Sequence, residues 1–197
     1  MNNDIALDHI LAYLQKRQPV EQVKIYQNPA KIAAIMQQIA TNWGKEWHYG
    51  ENELKVIDQI FNGDKGLCLM GGLGNGKTTI FRLAAGALKT IGIDCEVINT
   101  RMFHALYQKN GEEEILSRSR GYLMIDDLGT EHDVVTRYGT KVDPMSTLLY
   151  LRYENRARTF VNTNLNREMM KAKYGERLAD RFKEMFEYRT FYGESKR

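Results

Sequence analysis

The nine residues GGLGNGKTT, 71–79, constrain this chain more than any other stretch. They separate the apolar run GLCLMG (66–71) from Ile80, Leu83, Ala84, Ala87, Leu88 and Ile91. The first run has the length of a buried strand and the second has the period of a helix. Gly71, Gly76, Lys77 and Thr78 fit the pattern G-x-x-x-x-G-K-[ST]. Glycines let such a loop curl until successive backbone N–H groups point inward and form an anion nest. A helix starting near Lys77 adds the positive end of its dipole. Gly74, Asn75, Gly76, Lys77, Thr78 and Thr79 are therefore expected to hold the phosphates of ATP, with Mg²⁺. Lys77 reaches the β- and γ-phosphates, and the Thr78 hydroxyl is a metal ligand. By composition alone the pattern arises in roughly one chain per hundred of this length. Its place between strand and helix makes it more specific.

The rest of the chain follows from that unit. Leu7, Ile10, Leu11 and Leu14 recur at helical spacing, and Asn28–Pro29 reads as a cap and first turn for Ile32, Ile35, Met36 and Ile39. A linker with Trp43, Gly44, Trp47 and Gly50 leads to a helix over Leu54, Ile57, Ile60 and Phe61. Further strands are expected at CEVINT (95–100), YLMIDD (122–127), RTFVNTN (158–164) and YRTFYG (188–193). Helices lie between them: one or two over 101–119, one from Asp143–Pro144, and two short ones split at Gly175. Residues 129–143 read as a polar loop. Strands alternating with helices predict an α/β fold with a central, mainly parallel five-stranded sheet.

Three more groups carry chemistry. Asp126 and Asp127 end an apolar strand, where parallel sheets place their ligands. Asp126 is expected to hold Mg²⁺ through water, and Asp127 to orient or deprotonate the attacking water, with Glu131 a competitor for the base. Asn162 and Asn164 end another strand; Asn164 is the chosen γ-phosphate sensor. The bland reading of either group is a turn signal. Arg177 and Arg181 lie four apart on a helix beside the stripe Leu178, Phe182, Met185 and Phe186. Spacing alone favours a solvated face for them, with Arg181 paired to Glu184.

The 197 residues, 43% hydrophobic and 27% charged, allow one domain with a modest appendage. A net charge of +3 permits a nucleic-acid partner without demanding one. No apolar run approaches membrane-spanning length, and the N-terminus does not read as a secretory signal, so a cytoplasmic protein is expected. Cys68 and Cys95 read as buried free thiols, and the four histidines are scattered.

GGLGNGKTT, YLMIDDLGTE, LLYLRYENRARTFVNTNL, YGERLADRF and the closing FYGESKR together resemble the DnaC/IstB branch of AAA+ ATPases over about residues 54–197. The resemblance implies a P-loop AAA+ core over 51–197 without a full C-terminal helical lid. Residues 1–50 are then a short helical extension that binds a partner. It makes Asn164 similar to the sensor residue of that family. Arg181 becomes an arginine finger given in trans to a neighbour's nucleotide, with Arg177 its companion. The family's DNA path implies phosphate contacts from Arg101, Lys109, Arg118 and Arg120, diluted by Glu112, Glu113 and Glu114. The acidic pair is Asp-Asp where many AAA+ proteins have Asp-Glu, so the second carboxylate reaches less far.

The expected function is an ATPase that loads a replicative helicase onto single-stranded DNA, monomeric alone and homo-oligomeric on ATP or DNA. Two alternatives stay open. One is a transposition-assisting ATPase on duplex DNA; the other is a nucleotide-gated binding module with little turnover. A small-molecule P-loop kinase fits the loop but leaves the C-terminal motifs unexplained.

Overall fold

The computed structural model describes residues 27–131, 134–137 and 139–191. The expected helix over Leu7–Leu14 and the closing motif beyond residue 191 lie outside these residues. The described elements are α1 (Pro29–Asn42), α2 (Glu51–Asn62), β1 (Gly66–Met70), α3 (Lys77–Thr90), β2 (Cys95–Asn99), α4 (Thr100–Asn110) and α5 (Glu113–Ser117). Then come β3 (Tyr122–Leu128), β4 (Val135–Arg137), β5 (Thr140–Val142), α6 (Pro144–Glu154), β6 (Thr159–Thr163), α7 (Arg167–Met185) and β7 (Phe186–Thr190).

Five strands form one sheet in the order β2-β3-β6-β1-β7, and every pairing in it is parallel. Side-chain alternation divides its core into two layers. Leu67, Leu69, Met124 and Phe160 face α1, α2 and α3. Cys68, Leu123, Ile125 and Val161 face α4, α6 and α7. Central strands covered on both sides are buried throughout: β1 is an unbroken apolar run, while β6 is buried at every position although Thr159, Asn162 and Thr163 are polar. Cys68 is buried and its thiol is pushed up to about 12 by desolvation. Cys95, expected to be buried, sits half-exposed on the edge strand β2.

Helix starts follow local chemistry. The Asn28 side chain accepts from Ala30 N at 2.9 Å with Pro29 in the first turn, and Asp143 accepts from Ser146 N at 2.9 Å ahead of Pro144. Asn99 caps α4 by accepting from Arg101 N at 3.1 Å. Helix α1 lies against α2 and α3, where an added Cβ at Gly86 would stand 3.2 Å from Ile39 Cδ1. Ile32, Ala33, Met36, Ala40 and Trp47 thus join the same core layer as α3. Residues 129–143 are not wholly loop, because β4 and β5 pair antiparallel with Val135 opposite Val142. Strands of three residues around Gly139 are too short to show a period. Helix α7 breaks at Gly175, whose φ of 81° and ψ of 162° are not helical.

Arg152, on α6, is fully buried. Its Nη1 donates to the carbonyls of Arg118 and Arg120, and Nη2 to Gly121 O at 2.8 Å and Arg158 O at 2.7 Å. Nε donates to Thr159 Oγ1 at 2.8 Å. Burial pulls its pKa down to about 9, so the guanidinium stays charged near neutral pH. One side chain thus ties the turns entering β3 and β6. Arg152→Met would remove five donated bonds from the turns entering β3 and β6 and should cost about 3 kcal/mol or more, read from the urea midpoint. Arg152→Lys should recover only part, because an ammonium cannot spread over these acceptors. A Met variant as stable as the parent would contradict this role.

Candidate active site

β1, β3 and β6 deliver their C-terminal ends to one place, with Met70 beside Thr163 and Leu128 beside Thr163 across the ladder. The loop 71–76 leaves β1 there and turns into α3. Gly76 takes φ 92° and ψ 7°, a left-handed conformation that costs a side-chain-bearing residue strain. Gly71 is required for another reason. A Cβ on it would lie 2.5 Å from the carbonyl oxygen of Phe191. No side chain caps α3, so the N–H groups of its first turn keep their donors for something outside the helix.

Lys77 is buried within the curl of the loop. Its Nζ donates to Gly71 O at 2.8 Å, Gly72 O at 2.6 Å, Asn75 Oδ1 at 3.1 Å and Asn164 Oδ1 at 3.1 Å. Burial pulls the ammonium below its ordinary pKa, while the charges of Asp127 and Asp126 pull it back up. Asn75 serves the loop's shape, since its Nδ2 donates to Phe191 O at 2.7 Å and anchors the loop to the end of β7.

Thr78 Oγ1 donates to Asp126 Oδ1 at 2.8 Å. Asn162, fully buried on β6, bridges the acidic pair. Its Nδ2 donates to Asp126 Oδ1 at 2.5 Å and its Oδ1 accepts from Asp127 N at 2.9 Å. Asp127 has a φ of 58°, which is unusual for a residue with a side chain. It is held there through its carbonyl, which accepts from Thr100 Oγ1 at 3.0 Å, Thr130 Oγ1 at 2.9 Å and Thr130 N at 3.1 Å. A non-glycine residue kept in that region costs on the order of 1–3 kcal/mol, and such strain clusters at functional sites.

These groups border a cavity of about 580 Å³, lined by residues 73–80, by Asp127 and Asn164, and by Lys45, Glu46, Trp47 and His48 from the stretch before α2. Phosphates fit the loop end: uncapped N–H donors, one buried ammonium and the positive end of α3 converge on it. Mg²⁺ fits the adjoining pair, a hydroxyl and a carboxylate oxygen 2.8 Å apart. Lys45, Glu46, Trp47 and His48 close the cavity from outside the loop and its helix start.

Other anticipated residues lie elsewhere. Glu131 is buried off the cavity; it accepts from Tyr174 Oη and from Gly129 N at 2.9 Å, and stands 3.8 Å from Lys173 Nζ. Arg177 and Arg181 border a separate hollow of about 290 Å³ on α7. Arg101 and Lys109 are exposed on α4, with Arg101 Nε donating to Thr130 O at 3.2 Å. Arg118 is engaged within the chain, by Glu96 at 2.9 Å and by Glu114. Arg120 is half-buried.

Sequence reasoning passed over Asn162 in favour of Asn164. Asn162→Ala would strip Asp127 N–H and Asp126 of a buried partner and should destabilise the fold by about 1–3 kcal/mol. Asn162→Asp should be worse, because it sets a second carboxylate against Asp126. Denaturant midpoints for both variants check this, and unchanged midpoints would remove the bridge from the account.

No protein-family model matches the chain, and no curated protein matches it by sequence. Solved structures do. A candidate primosome component from Streptococcus pyogenes serotype M3 shares 20% identity, covering 75% of this chain and 81% of that one, with a TM-score of 0.59. The DnaC helicase loader shares 20% identity over 74% of this chain and 94% of its own, also at 0.59. The replication initiator DnaA bound to AMPPCP and single-stranded DNA shares 13% identity over 75% of this chain and 49% of its own, at 0.58. The fold of this chain is similar to that of the DnaC helicase loader and of the initiator DnaA.

Proposed function

We propose that this protein is a Mg²⁺-dependent ATPase that acts on DNA and loads a replicative helicase onto single strands during replication. One observation carries the reading: Lys77, Asp127 and Asn164 meet on the cavity that the uncapped start of α3 opens onto, with Thr78 bonded to Asp126 beside them. The fold shared with a helicase loader and with a DNA-bound initiator supports the replication role.

In this reading the N–H groups of residues 74–79 and the Lys77 ammonium bind the β- and γ-phosphates. Thr78 and Asp126 would hold Mg²⁺, which when bound would neutralise charge on those phosphates. Asp127 orients the attacking water and takes its proton, since Glu131 is turned away into its own bonds. Asn164 lies against Lys77 and reports the γ-phosphate. Arg177 and Arg181 border their own hollow, so Arg181 acts on the nucleotide of the next subunit. The active form is then a homo-oligomer assembled by ATP and DNA from monomers. Residues 1–50 form the helicase-binding part, and 51–197 the ATPase. DNA phosphates meet Arg101 and Lys109 first; Arg118 would have to leave two carboxylates to join them.

A nucleotide-gated module with little turnover is the second reading, favoured by the short carboxylate of Asp127 at a constrained φ. In that case Asp127→Asn leaves turnover unchanged.

Lys77→Ala should abolish nucleotide binding, and full turnover in it would eliminate the site. Arg181→Ala should keep nucleotide affinity and lower assembly turnover by about a thousandfold; an equal loss of affinity would make Arg181 structural. The DNA role is tested with labelled single-stranded and duplex DNA of equal length, each with a non-hydrolysable ATP analogue and with ADP. ATP-dependent, salt-sensitive preference for the single strand is expected. Preference for the duplex would move the function to transposition, and binding to neither would remove DNA from it.

A further inference from the structure

Arg181 does not project alone from α7. Its guanidinium carbon sits over the ring of Tyr153, 4.8 Å from the centroid, and its Nη1 stands 3.8 Å from Glu184 Oε1. The other oxygen of Glu184 accepts from the Tyr153 hydroxyl at 2.8 Å. Three side chains from two packed helices, α6 and α7, thus close a small ring of contacts. The Nε atom of Arg181 is buried and has no hydrogen-bond partner among the described residues. The root of the guanidinium is therefore sunk against the helices, while the side chain keeps 32% of its exposure for its outer end.

We propose that Tyr153 and Glu184 are positioning residues that hold the Arg181 guanidinium ready for the anionic phosphate of a neighbouring copy's nucleotide. The proposal rests on the reading of Arg181 as an arginine supplied in trans. The physical reason is entropy and angle. A free arginine samples many rotamers, and each must be lost before its fork meets a phosphate. An aromatic face beneath the guanidinium removes most of that freedom without using its in-plane N–H donors. Glu184 supplies the second restraint, and the Tyr153 hydroxyl fixes Glu184 in turn. The pairing is loose and Glu184 is 61% exposed, so the carboxylate yields when a more highly charged phosphate arrives. Lys183 is bound to Asp180 at 3.0 Å and Lys171 to Glu176 at 2.6 Å.

The test mixes full-length subunits. Arg181→Ala subunits keep a nucleotide site and lack the arginine; Lys77→Ala subunits lack the site and donate the arginine. Mixing them should restore ATP turnover. Adding Tyr153→Leu to the donor should lower the restored kcat by about tenfold with KM unchanged, and Tyr153→Phe, which keeps the ring, should stay within about threefold. Glu184→Ala in the donor, on an exposed side chain that the fold does not need, should lower kcat by about threefold or more. Full restoration by both the Leu and the Ala donors would overturn the cradle, as would Phe failing as badly as Leu. Should Arg181→Ala alone turn over like the parent, the reading of Arg181 fails instead. Those two failures are read from different samples.

Discussion

Helix α3 begins at a left-handed glycine and has no side chain over its first turn. Everything else at the upper edge of the sheet is arranged around that open end. A helix start buried without partners is costly, so the donors are kept at the wall of a cavity where an anion can meet them. The loop that feeds this start is compact because Lys77 bonds its carbonyls from within and Asn75 ties it to Phe191. Burial lowers the Lys77 pKa, and a phosphate entering the nest would raise it again. The same lysine that closes the loop is thus the group that gains most from a ligand.

The acidic pair depends on the neighbouring strand. Asp126 and Asp127 differ in what fixes them, although both touch Asn162. Asp126 is held by its side chain, between Thr78 and Asn162, as a metal ligand would be. Asp127 is held by its backbone, through Asn162, Thr100 and Thr130, and the residue borders the cavity. A position over-determined in this way can keep an unfavourable φ and still aim a short side chain.

Much of the fold was legible because its signals are local. Asn28–Pro29 and Asp143–Pro144 start helices by bonds within a few residues, and β1 and the first four residues of β3 are apolar runs because both faces are covered. What escaped notice depends on distant partners. Arg152 lies in a stretch rich in charge, and only the carbonyls of the two turns entering β3 and β6 explain its burial. Asn162 and Asn164 share a period-two face, so pattern could not separate them. The strand ends at Thr163, which leaves Asn162 inside the sheet and Asn164 at the cavity. The β4–β5 hairpin and the half-exposed Cys95 were lost for want of period and for want of a second strand at the edge.

The loop, the acidic pair and Asn164 are proposed to form one Mg²⁺-nucleotide site, and that joint action is the central claim. Calorimetric titration of the full chain with a non-hydrolysable ATP analogue, in Mg²⁺ and again in chelator, tests it most directly. One nucleotide per chain, with affinity that falls when Mg²⁺ is removed, is the predicted result. No heat of binding in Mg²⁺, or an isotherm indifferent to the metal, would contradict the account.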